Sequence, residues 1–184
     1  MKRKYFLLVM LLATVFSVVN AQKTVSSADD VLQKAYAQAS LENKNVFVMF
    51  HASWCKWCHK MDSSMNDKTC QKYFTDNYVI CHLTVDESKD KKNLENPGAD
   101  ALRKKYHGED AGLPFWLIFN KDGKLLADSK IRPAGADLDT KGESMGCPAS
   151  KEEVAYFVHI LKQNSKITQA QLKAIEERFN KNKE

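Results

Sequence analysis

Apolar positions along this chain follow two rhythms, and the changes between them predict its elements. Ala28, Val31, Leu32, Ala35, Tyr36 and Ala39 fall three and four apart, the spacing of one helix face, and Ser27 with Asp30 forms a capping box ahead of them. Residues 46–50 form an unbroken apolar run too short for a helix, which predicts a strand buried on both faces. A helix is expected from about Trp54, with Met61 and Met65 on one face. It breaks at Asn66-Asp67 before Cys70, Tyr73 and Phe74 resume an apolar face. Residues 78–85, rich in β-branched and apolar types, predict a second strand.

The chain then turns charged and aperiodic over residues 87–96, which predicts a surface insertion closed by Pro97-Gly98. Leu102 and Tyr106 mark a short helix stopped at Gly108. Residues 115–119 and 124–127 flank Asn120-Lys121-Asp122-Gly123, the clearest hairpin signal in the chain. Residues 131–149 hold three of the seven glycines and two of the four prolines and predict a long loop. Ser150 with Glu153 caps a helix whose face is Val154, Phe157, Val158 and Leu161. Thr168 with Gln171 caps a last helix bearing Leu172, Ile175 and Phe179. A strand-helix-strand unit followed by a hairpin gives a mixed central sheet with helices on both faces, an α/β three-layer sandwich.

Charge and cysteine content narrow the function classes. Lys2, Arg3 and Lys4 precede an uncharged, mostly apolar run that ends in Val19-Asn20-Ala21. This is the pattern of a cleaved signal peptide over residues 1–21, and the run is short for a membrane span. The expected mature domain is residues 22–184, with a core over 28–164 and an additional helix at 168–180, in a periplasmic or secreted setting. Without the three leader cations the formal net charge of +5 falls to +2. No basic stripe interleaved with aromatics points to nucleic acid. All five cysteines (55, 58, 70, 81 and 147) lie in the mature part, and an odd count leaves at least one thiol outside any internal pairing.

The chemistry-bearing stretch is residues 50–59, Phe-His-Ala-Ser-Trp-Cys-Lys-Trp-Cys-His. Two cysteines three positions apart, after a buried strand and at a helix start, form a redox pair. At the first turn the unpaired backbone N–H groups and the helix dipole favour a thiolate at Cys55. Lys56 and a protonated His59 add positive charge there. Exchange needs one thiolate to attack a disulfide and a second thiol to release the mixed disulfide.

Trp54-Cys55-Lys56-Trp57-Cys58 at a strand-to-helix junction, Gly112-Leu113-Pro114 before a strand, and Asp122-Gly123-Lys124 together resemble thioredoxin. The resemblance spans residues 46–127. More narrowly, the chain is similar to the exported thiol:disulfide interchange group that includes the C-terminal domain of the membrane thiol:disulfide interchange protein. The resemblance implies a thioredoxin-like sandwich with Cys55 attacking and Cys58 resolving. It also implies a cis Pro114 that leaves the Leu113 backbone free to pair with a substrate strand. No cofactor is implied beyond the redox-active disulfide Cys55–Cys58. The implied partners are cysteine-containing protein substrates, with a membrane redox protein as a candidate. Two positions depart from the family: Met49 stands where a buried acid is usual, and His82 where many members carry a buried lysine. His82 is therefore a candidate for part of the pKa tuning.

Other readings accompany this one. Trp54 is expected to pack against the sheet beside the site, and Trp57 to be partly exposed and touch a client. A client-binding, chaperone-like module would use the same surface without redox turnover. His51, His59 and His82 with the dithiol invite a zinc or copper reading, but they are expected on different faces, and no metal is assigned. Cys70 and Cys81 are expected to be packing residues or a helix-to-strand disulfide. Cys147, between Gly146 and Pro148, is expected in a polar loop before a helix cap, a position open to exposure and mixed disulfides but not read as a site residue.

Overall fold

The computed structural model describes residues 25–183. The leader expected over residues 1–21 lies outside them. Helix α1 (Ala28–Glu42) begins at the predicted capping box, where the Asp30 N–H donates to Ser27 Oγ at 3.1 Å. It buries Ala28, Leu32, Ala35 and Ala39. Strand β1 (Asn45–His51) follows, and its five inner residues are all buried.

Helices α2 (Lys56–Met65) and α3 (Gln71–Asn77) come next, separated at the predicted break. Strand β2 (Tyr78–Thr84) lies parallel to β1, and β3 (Phe115–Phe119) lies antiparallel to it on the other edge. Strand β4 (Leu125–Asp128) completes the order β2-β1-β3-β4. The β3–β4 turn is the predicted hairpin: Gly123 takes φ +82°, which favours glycine, and its N–H donates to the Asn120 carbonyl at 3.0 Å.

Strand alternation divides the core in two. Val46, Val48 and Phe50 face one layer with the α1 alanines, Leu32, and Ala99 of α4 (Ala99–Lys105). Phe47 and Met49 face the other layer with Met61 and Met65 of α2 and the C-terminal helices. A slip of one residue would exchange these sets, so burial on both faces fixes the register.

The C-terminal helices α5 (Lys151–Gln163) and α6 (Gln169–Phe179) carry both predicted capping boxes. The additional helix is part of the main core. Phe179 lies 5.0 Å from Phe157, centroid to centroid, and Phe157 also meets Trp116 at 5.5 Å and Phe74 at 6.3 Å.

Three segments differ from expectation. The charged stretch 87–96 contains a 3-10 turn, Lys89–Leu94, but Glu87 at its start is only 4% exposed. The loop 131–149 contains a small ladder, β5 (Lys130–Ile131) with β6 (Glu143–Ser144). Beneath it the Arg132 guanidinium forks onto Asp128 at 2.6 and 2.7 Å. Two-residue strands have no period to detect, and a buried charge pair leaves no hydrophobic signal. Cys147 is buried, not exposed, because the 145–148 turn folds under α2 and α6.

Polar ties join the C-terminal layer to α2. Asn182 is buried; its Oδ1 accepts from Ser64 Oγ at 2.9 Å and Arg178 Nη1 at 3.2 Å, and its Nδ2 donates to the Pro148 carbonyl at 3.0 Å. Its own carbonyl accepts from Lys60 Nζ. Asp67, at the α2–α3 break, accepts from the Thr69 N–H at 2.9 Å, Thr69 Oγ1 at 2.7 Å and Arg178 Nε at 2.8 Å. These contacts, the Thr69 bonds foremost, hold its carboxyl down at about 2.

Two outcomes are expected in urea titrations. Asn182→Ala leaves buried partners unpaired and should cost about 1–3 kcal/mol at pH 7. Because the Asp67 pKa is lowered from its ordinary 3.8, its contribution is complete above about pH 4 and lost as pH falls towards 2. Asp67→Asn should therefore flatten the stability profile between pH 4 and 2 relative to wild type. An unchanged slope would remove Asp67 from that role.

Candidate redox site

The site forms where β1 ends and α2 begins. Cys55 is the N-cap of α2, and its Sγ accepts the Cys58 N–H at 3.1 Å. Cys55 and Cys58 are joined, with Sγ atoms 2.06 Å apart. The pair is unequal in access: Cys55 retains 3% of its surface and Cys58 none. Ala52 and Leu113 pack against the two cysteines. The Leu113–Pro114 peptide is cis, and the Leu113 packing sets the segment before β3 beside the dithiol.

The Trp116 indole N–H, two residues on, donates to the Gly146 carbonyl at 2.9 Å. That bond ties the 145–148 turn to the start of β3.

The flanking aromatics lie outside the core. Trp57 is 48% exposed, with Lys60 Nζ 5.3 Å from its ring centroid. Trp54 is 58% exposed and does not pack on the sheet as expected. Its indole N–H donates outward to the Asp86 carbonyl at 2.8 Å, which holds the ring at the rim. Lys56 is exposed, and the His59 ring bonds the Ser53 carbonyl at 3.0 Å.

His82 makes no hydrogen bond to either sulfur. Its Nε2 meets Asp62 Oδ1 at 2.8 Å, on the α2 turn after Cys58. Two of the three histidines share a face, the His51 and His82 rings lying 5.2 Å apart, while the His59 ring bonds the Ser53 carbonyl. Parallel pairing sets Met49 opposite His82 and His51 opposite Thr84, so His51 and His82 become diagonal neighbours. Burial first, and then the neighbouring His82, push the His51 pKa down. Among the described residues no group of three or more His, Cys, Asp or Glu side chains is placed to hold a metal.

A model for a thioredoxin-like domain matches residues 32–132, more than half of the chain. The chain belongs to the thioredoxin-like family. With its Cys-x-x-Cys pair at the head of α2, it is a thioredoxin-like thiol:disulfide oxidoreductase. Among solved structures, a disulphide isomerase from Xylella fastidiosa Temecula1 is 20% identical, with a TM-score of 0.46 over 62% of this chain and 77% of that one. The DsbD C-terminal domain of Neisseria meningitidis in its reduced form is 20% identical, with a TM-score of 0.43 over 76% and 99%. A putative protein disulfide isomerase from Bacteroides thetaiotaomicron is 22% identical, with a TM-score of 0.38 over 70% and 78%. The family assignment rests on the matched domain and the site, not on these three likenesses. A search of the curated proteins returns no match.

Sequence reading missed the corner at residues 86–87. Glu87 accepts the Ser53 N–H at 2.6 Å and the Ser53 hydroxyl at 2.8 Å. Burial pushes the Glu87 carboxyl up, but the two Ser53 hydrogen bonds prevail and hold it below its ordinary value. Arg103, buried, forks onto the Asp86 carboxylate at 2.5 and 3.2 Å. Acidic residues in a charged run read as a solvated surface, so no local signal marks them.

The other thiols stand apart from the dithiol. Cys70 and Cys81 are both free and belong to opposite core layers, so the helix-to-strand disulfide is excluded. Burial pushes Cys70 up to about 11, and Cys81 and Cys147 each up to about 12. At pH 8 roughly one thiol in a thousand or fewer is then a thiolate. Iodoacetamide should leave the native oxidised protein unlabelled over minutes at pH 8 and add three labels after denaturation. Rapid native labelling at any of the three would contradict their placement.

Proposed function

We propose that this protein is an exported thiol:disulfide oxidoreductase that works on cysteine-containing protein substrates as a reductase or redox relay. The observation that carries the reading is the Cys55–Cys58 disulfide at the head of α2, with Leu113 packed on it and Trp54 and Trp57 exposed at its rim. Export is supported by the basic, then apolar, then small-residue pattern of residues 1–21.

In the reducing direction the Cys55 thiolate attacks one sulfur of a client disulfide, and the other client sulfur leaves as a thiolate. Cys58, deprotonated, then attacks Cys55 Sγ and releases the second client thiolate. The enzyme ends as the observed disulfide and the client has gained two electrons. The N-cap position supplies positive end charge and the Cys58 N–H to the Cys55 sulfur. Lys56 and, when protonated, His59 add charge nearby, and His82, held by Asp62, is the candidate for further tuning one turn beyond Cys58. The client lies along the Leu113–Pro114 segment, with Trp54 and Trp57 as its docking surface. The N-cap position marks Cys55, rather than the fully buried Cys58, as the sulfur that meets the client. The lean towards reduction follows from Lys56-Trp57 between the cysteines, where strong oxidants of the family carry Pro-His.

Insulin reduction in the presence of dithiothreitol tests the activity. Wild type should accelerate it, and Cys55→Ser should abolish essentially all of the acceleration. Equal rates for the two proteins would instead favour a client-binding module. A strongly oxidising Cys55–Cys58 reduction potential would reverse the proposed direction.

A further inference from the structure

We propose that Glu87 is a positioning residue for the attacking sulfur, holding through Ser53 the turn that presents Cys55. The proposal rests on the exchange reading above and adds a residue outside the dithiol to its machinery.

The turn needs such a support. β1 ends at His51 and α2 starts at Lys56, so residues 52–55 belong to neither ladder nor helix. Within the turn the Cys55 N–H donates to the Ala52 carbonyl at 3.0 Å. The Ser53 N–H and hydroxyl both go to the Glu87 carboxylate instead. A carboxylate bound by two donors is a charge-assisted, two-point clamp. It grips the residue two places before Cys55.

Glu87 is itself fixed. It is buried, and its N–H donates to Glu95 Oε1 at 2.8 Å, which also accepts from Lys92 Nζ at 2.7 Å. The preceding residue carries the Trp54 indole on its carbonyl and is locked by Arg103, which also reaches Asp100 at 3.0 Å. One corner thus sets both the turn and the exposed ring beside the sulfur. Electrostatics alone would oppose this arrangement, because a carboxylate near Cys55 disfavours its thiolate. Mechanical support for the turn explains why the acid is there. The charged or titratable groups around the turn are Lys56 and His59 on α2, His51 at the end of β1, Asp86 and Glu87 at the corner, and Lys91 in the 3-10 turn.

The test compares Glu87→Ala, Glu87→Gln and wild type in two assays: insulin kcat/KM, and the pH profile of Cys55 alkylation in the reduced protein. Glu87→Ala should lower kcat/KM by about tenfold or more, as expected for a misplaced reacting group. Glu87→Gln keeps an acceptor for the Ser53 N–H and should recover kcat/KM to within about threefold of wild type. Its alkylation midpoint should move to lower pH, because the opposing charge is gone. The proposal is overturned if Glu87→Ala keeps wild-type kcat/KM, whatever its alkylation midpoint, or if Glu87→Gln is as impaired as Glu87→Ala. If Glu87→Ala does not fold, Ser53→Ala takes its place with an expected two- to threefold loss, and wild-type kinetics in that variant would overturn the proposal. A wild-type protein inert towards insulin would refute the exchange reading; Glu87 is then judged by the alkylation rate of the fully ionised Cys55 thiolate, which needs no client. That rate should fall in Glu87→Ala and stay near wild type in Glu87→Gln, and it overturns the proposal if Glu87→Ala leaves it unchanged.

Discussion

Enclosure of β1 on every side is the constraint from which the rest of this structure follows. The strand has a hydrogen-bonded neighbour on each edge and a helical layer on each face, and its inner residues are fully buried. A strand so placed cannot shift without exposing one of two cores. Its C-terminal end is therefore a fixed point, and the dithiol begins four residues past it. The sulfur pair inherits its position from the most enclosed strand of the sheet, whereas the groups that surround it come from loops.

Those loops divide the work. The Leu113–Pro114 segment covers the disulfide from the β3 side, the 86–87 corner grips the turn from the β2 side, and the 145–148 turn ties down the start of β3. None of the three is long: Leu113 is held by packing on Ala52 and the two cysteines, the 86–87 corner by the Glu87 carboxylate, and the 145–148 turn by buried Met145 and Cys147 together with the Trp116 bond.

Much of this was legible in the sequence, and the legible part is local. Three capping boxes, the Asn120–Gly123 hairpin, the helix break at Asn66-Asp67 and the dithiol at a helix head are set by residues within five positions of one another. What could not be read involves distant partners. Glu87 meets Ser53 across 34 positions, and Arg178 meets Asp67 across 111. The meeting of His51 and His82 depends on the parallel register of β1 and β2, which no run of residues encodes by itself. Trp54 was expected on the sheet because large aromatics usually bury; a single carbonyl, that of Asp86, turns it outward. Cys147 looked exposed because glycine, proline and polar residues surround it, yet the amide of Asn182, 35 positions away, meets its sulfur at 3.6 Å.

The ties made by Asn182 bear on how the chain matures as it is synthesised. Ser64 and Asn182 are 118 positions apart, and Lys60 and Asn182 are 122 apart. At roughly 5–20 residues per second, the 118 positions between Ser64 and its partner take about 6–24 s to emerge from a ribosome. Over that interval the nascent helix bearing both sulfurs is complete in sequence but lacks its closing braces. The turns of α2 behind the dithiol therefore gain these ties only once the end of the chain has been made.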